Sequence, residues 1–183
     1  MSNYNSRHSP RLVDRLLKDG IVLLTKPLDD EVTNYLLAQL LFLMDRNSKQ
    51  PISLYIDSPG GSMTSCFAIM DTIVESATPV YTSCVGFAAG AALLILACGA
   101  RGQRRALPHA QVQMTQLSPG RSIEQYGNDA RLELKRLEDL TVARFVGYSG
   151  QPEQKIRLEV EAETIFDAVE ARDYGLIDQI VMV

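Results

Sequence analysis

Two short segments carry the residues whose types and spacing suggest chemistry. In "DSPGGS", Asp57 to Ser62, the glycines Gly60 and Gly61 stand where an apolar run gives way to a helical pattern. In "GFAAGAA", Gly86 to Ala92, Gly90 holds a similar place. Backbone N–H groups at a helix start have no intrahelical partner, and glycine lets a ligand backbone or an oxyanion approach them closely. A serine at position 90 would be a nucleophile at a helix start beside an oxyanion hole, the logic of acyl transfer. The residue there is glycine, and a lone Pro-Gly-Gly turn is more often only a tight turn. Ser58, Ser62, Ser83 and Ser118 lie near these turns in sequence and read as turn or capping serines.

Other reactive side chains are scarce. His8 falls in a polar N-terminal stretch, and His109 follows Pro108 in a turn. Cys66, Cys84 and Cys98 show no C-x-x-C spacing and sit among small apolar residues. They read as buried reduced thiols, and a zinc site is not expected.

The elements that must position these turns alternate. "IVLLT", Ile21 to Thr25, reads as a buried strand. A helix follows near Asp29 or Asp30, with Val32, Leu36, Leu40 and Leu43 on one stripe and Leu37, Leu41 and Met44 on another. A helix apolar on two sides needs two partners. Strand-turn-helix units then start at Ile52 and Pro79, and "RRALP" and "QVQMTQ" read as two more strands. The run Val85 to Ala100 is too short to span a membrane and reads as a buried helix. Such alternation predicts βαβ crossovers and a largely parallel sheet. A long helix is predicted over about Ile123 to Tyr148, reaching roughly 35–40 Å. A Pro152-initiated helix, a short helix ended by Gly175 and a final strand complete the chain.

The 183 residues are 46% hydrophobic and 22% charged, with a formal net charge of −4. The length suits one domain, and the apolar fraction is too high for a disordered chain. A negative balance with no basic face argues against a nucleic-acid binder. No signal peptide is apparent in "MSNYNSRHSPR".

With the elements in order, the chain resembles the proteolytic subunit of the ATP-dependent Clp protease, the ClpP family (peptidase S14). "AQLLFL", "ISLYIDSPGGSMTS", "VGFAAGAALLILACGARGQRRALPHAQVQMTQ" and "VEARDYGLIDQI" carry the resemblance, with one small contraction after Gln116. It implies a ClpP/crotonase-like α/β fold of repeated ββα/βαβ units. One domain would cover residues 1–183, with a mobile segment over 1–11 and a projecting handle over about 117–149.

The resemblance also implies a Ser-His-Asp triad, and the three matching positions hold Gly90, Thr115 and Glu163. Glycine cannot attack a carbonyl. A threonine hydroxyl has no usable basicity near neutral pH, and the glutamate has no histidine to orient. The N–H groups of Gly61 and Ala91 match the family's oxyanion donors. Tyr55 matches one of two chaperone-docking aromatics, while Ser53 replaces the other.

This pattern resembles ClpR, the inactive members that join active ClpP subunits in seven-membered rings stacked in pairs. Their setting is the cyanobacterial cytoplasm or the plastid stroma. A non-catalytic structural or regulatory subunit is therefore expected, without a cofactor or metal and without nucleic-acid or membrane partners. Its partners would be active ClpP subunits, unfolded polypeptides, and an AAA+ chaperone of the ClpC or ClpX type that uses the ATP. The alternatives are an active peptidase with a relocated nucleophile and an acyl-CoA-handling enzyme of the crotonase kind.

Overall fold

The computed structural model describes residues 10–46, 50–115 and 129–181. His8, Ser118, most of the N-terminal segment and the first part of the expected handle lie outside the described residues.

The described chain runs α1 (Pro10–Lys18), β1 (Ile21–Leu24), α2 (Asp30–Asp45), β2 (Ile52–Ser58), α3 (Met63–Val74), β3 (Val80–Ala89) and α4 (Ala91–Ala97). It continues through β4 (Arg104–Ala106), β5 (Gln111–Gln113), α5 (Ala130–Ser149), α6 (Glu153–Glu161), β6 (Ile165–Asp167), α7 (Ala168–Tyr174) and β7 (Gln179–Ile180). The expected α/β architecture is present.

The sheet follows the order β1-β2-β3-β4-β7, all in parallel, and β3 forks. Its first half pairs with β4 at Thr82–Arg104, and its last three residues pair with β5 at Phe87–Gln111 through Ala89–Gln113. β5 in turn pairs antiparallel with β6, the one reversal in an otherwise parallel sheet. Sequence reading missed β6, because "IFD" is too short to show a period.

Burial alternates along β1 and β2, so one face of the sheet is covered and the other is open. β1 was expected to be buried throughout; Leu23 is instead 41% exposed, while Val22 and Leu24 are buried. Leu54 and Ile56 of β2 are fully enclosed, each stabilising the fold by about 1.5–3 kcal/mol.

α2 starts where the carboxylate of Asp29 accepts from the N–H of Val32 at 2.8 Å. Its Leu36, Leu40 and Leu43 are buried, whereas Tyr35, Leu41 and Phe42 are exposed. Of the second stripe, Leu37 and Met44 are half-buried and pack against the core, and Leu41 alone is exposed, so the exposed apolar patch of α2 is Tyr35, Leu41 and Phe42.

Two boundaries differ from expectation. The run Val85 to Ala100 is not one helix: β3 continues to Ala89, the chain turns at Gly90, and all seven residues of α4 are buried. Composition hides this, because a fully buried strand end and a buried helix are equally apolar. Pro152 is the N-cap of α6 rather than its first residue.

α5 has 20 residues, about 30 Å of helix. Leu137, Thr141, Val142 and Phe145 in it are buried, while its first two turns carry no fully buried residue, Ala130, Glu133 and Leu134 being half-buried.

Candidate functional site

The site forms where β3 ends. Gly90 adopts φ 48° and ψ −112°, a conformation that strains any residue with a Cβ. Its N–H donates to the carbonyl of Gln113 at 3.0 Å, which holds the turn against the end of β5. Its own carbonyl accepts from Leu94 and starts α4.

Beyond β5 the chain passes buried Met114 and reaches half-buried Thr115. A Cβ added to Gly90 would lie 2.6 Å from Thr115 Oγ1. The two positions therefore face each other at contact distance.

Glu163 is brought in from the other side. β5 and β6 pair Gln111 with Asp167 and Gln113 with Ile165, where the ladder ends, so Thr115 and Glu163 each lie two residues beyond its last pair. Two hydrogen bonds hold this approach: Met114 N–H to the Thr164 carbonyl and Gln113 Nε2 to the Glu163 carbonyl, both at 3.0 Å.

Glu163 itself terminates α6. Its N–H donates to Val160 O and the Thr164 N–H to Glu159 O, the two bonds of a Schellman ending. Glu163 has φ 52° and is the only non-glycine residue with positive φ among the described residues. Its side chain is exposed. Nothing in the sequence signals this, since the position usually takes glycine.

The Pro-Gly-Gly turn presses on the same spot. A Cβ on Gly60 would stand 2.5 Å from the Ala89 carbonyl oxygen and 3.1 Å from the Ala91 nitrogen, so only glycine fits. Leu28, which sequence reading did not single out, fixes this turn from behind. Its N–H donates to Gly60 O at 2.7 Å, and its carbonyl accepts from Ser62 N–H at 2.9 Å. That bridge pairs Leu28 with Gly61, whose N–H has no acceptor among the described residues. Ala91 opens α4, so its N–H has no intrahelical acceptor.

Ser83 is half-buried beside Tyr55, while Ser58, Ser62 and the cysteines are engaged elsewhere. Ser58 is buried and donates to Lys26 O, while its Oγ accepts from Gly60 N–H. Ser62 caps α3 through Ser65 N–H and bonds Thr64. Cys66 Sγ donates to the Ala91 carbonyl at 3.2 Å, and burial pushes its thiol well above the usual range. Burial also pushes Cys84 up to about 11 and Cys98 up to about 12. His109 is exposed in the turn between β4 and β5. Among the described residues, no three His, Cys, Asp or Glu side chains gather as a metal would require.

Tyr55 lies on the open face of β2, between Leu23 of β1 and Ser83 of β3. Ser53 precedes it on the same face, beside Tyr81.

The family model for Clp protease matches residues 4–183, nearly the whole length. The chain belongs to the Clp protease family. This family consists of serine proteases whose subunits assemble into rings and work with AAA+ chaperones. The strand-to-helix turn at Gly90, the adjacent Gly60–Gly61 turn and the β5–β6 ribbon are thus parts of a Clp protease fold. In this member the positions facing one another at the turn hold a glycine and a threonine.

Proposed function

We propose that this chain is a non-catalytic subunit of a Clp protease core, of the ClpR kind, assembling with active ClpP subunits in heptameric rings. One observation carries the reading: position 90, at the head of α4 beside the glycine turn, has no side chain, and its space adjoins Thr115. A serine peptidase needs a hydroxyl there and an imidazole at its side. Glu163, whose carbonyl is held by Gln113, then has no base to orient.

The oxyanion donors remain in place as the N–H groups of Gly61 and Ala91. Such a hole without nucleophile or base gives no useful turnover. The subunit would complete the ring wall and lower the number of active sites per chamber. It takes no cofactor, and the ATP is used by a chaperone of the ClpC or ClpX type. Tyr55 supplies one docking aromatic and Ser53 none, so this subunit contributes less to chaperone binding than an active partner. The compartment in this reading is the cyanobacterial cytoplasm or the plastid stroma.

Co-expression with active ClpP subunits, followed by native mass measurement, tests the assembly. Mixed rings containing this chain are expected. Rings of the active subunit alone, with this chain excluded, would refute it.

A further inference from the structure

Arg104 is a buried charge that the reading of the site leaves unused. It opens β4, and its side chain is 8% exposed. Its guanidinium reaches three elements. Nε and Nη2 donate to the two carboxylate oxygens of Asp178 at 3.0 and 2.6 Å. Nη1 donates to the carbonyl of Tyr148, in the last turn of α5, at 3.1 Å. It also reaches the carbonyl of Ala97, the last residue of α4, at 3.5 Å.

The backbone adds to this grip. Arg104 N–H donates to Asp178 Oδ2 at 3.0 Å, and Asp178 N–H donates to Arg104 O at 2.7 Å. Arg101, three residues earlier, donates to the carbonyl of Gly147 at 3.4 Å.

The last four carbonyls of a helix lack intrahelical donors and carry its negative end. Here a buried cation satisfies that end for α5 and α4 together, while Asp178 balances its charge. A guanidinium suits this use because its planar fork serves a carboxylate and a carbonyl at once. The first two turns of α5 have no buried residue, so the helix is held from its C-terminal half.

We propose that Arg104 seats α5: it fixes the C-terminal end of this helix to α4 and to the β4–β7 edge of the sheet. Arg104 is in this sense a positioning residue, and the role is independent of whether the turn at Gly90 is catalytic.

The alternative is that Arg104 serves only to neutralise Asp178. The Arg104→Met/Asp178→Leu double variant separates the two. Replacing both members of an ion pair with apolar residues of similar shape leaves no stranded charge and is often tolerated. The carbonyls of Tyr148 and Ala97 nevertheless lose their donor. Hydrogen exchange on the full chain, read by mass spectrometry, should show residues 141–150 exchanging roughly tenfold faster, the factor for one charge-assisted hydrogen bond. Residues 52–58 and 80–89 should keep their wild-type protection. Wild-type protection at 141–150 would overturn the proposal. Equal loss across α5 and the central strands would also overturn it, because the residue would then hold the whole fold rather than one helix.

Discussion

A side chain on residue 90 and the side chain of Thr115 would claim the same space: a Cβ placed on Gly90 lies 2.6 Å from Thr115 Oγ1. The two residues fit as a pair. The glycine clears room for the threonine hydroxyl, and the threonine fills the volume beside it. Their proximity is set by backbone, through Gly90 N–H to Gln113 O and the Ala89–Gln113 register. The backbone therefore holds positions 90 and 115 side by side, whatever side chains they carry.

Restoring the hydroxyl alone should be costly and useless. Gly90→Ser puts a Cβ into a left-handed conformation, at about 1–3 kcal/mol, and drives it against Thr115. The midpoint of thermal unfolding should fall by several degrees, since about 1 kcal/mol moves it by about 2–4 °C in a chain of this size. Fluorogenic-peptide hydrolysis should stay at background. A variant as stable as the wild type would contradict the geometry at this turn.

The opposite change at Glu163 should stabilise. Its φ of 52° is unfavourable for a residue with a Cβ, and its exposed side chain makes no hydrogen bond or ion pair among the described residues. Glu163→Gly should gain about 1 kcal/mol net of glycine's greater freedom when unfolded. Urea denaturation would show this as a raised midpoint with an unchanged slope. A lowered midpoint would mean that the carboxylate holds something in place.

Much of this was legible in the sequence, and the missing parts have a physical reason. Strand-turn-helix alternation and the Gly175 ending are local patterns that appear as read, and of the two aspartates at the start of α2 it is Asp29 that caps it. That Gly90, Thr115 and Glu163 matter came from resemblance to a family. Their convergence depends on β6, three residues with no periodicity, and on a fork in β3 between β4 and β5. Neither the fork nor the Leu28 bridge behind Gly61 leaves a mark in residue types. The apolar run across Gly90 misled for the same reason, since a buried strand end and a buried helix have one composition.

Asp178 should make stability sensitive to acid. Partial burial pushes its carboxyl up, but hydrogen bonds from the Arg104 side chain and backbone outweigh this and hold it below the usual carboxylate range. A carboxyl lowered in the folded state contributes stability that is complete above its unfolded value. That contribution is lost as pH falls through the folded value, here below about pH 4. The stability difference between wild type and Asp178→Asn should be constant from about pH 5 to pH 8 and shrink below about pH 4. Guanidine unfolding at a series of pH values measures it. A difference that grows on acidification would contradict the assignment.

The central claim is that this member of the Clp protease family has no nucleophile of its own. A fluorophosphonate probe tests it most directly. It should be applied to the chain alone and to the chain assembled with an active subunit whose nucleophile has been replaced by alanine. Intact mass and peptide mapping then read the adduct. The account predicts no adduct on the wild-type chain and no peptide hydrolysis. It also predicts an adduct at position 90 of a Gly90→Ser/Thr115→His/Glu163→Asp variant. An adduct on a serine or threonine of the wild-type chain, with hydrolysis abolished by the probe, would contradict it.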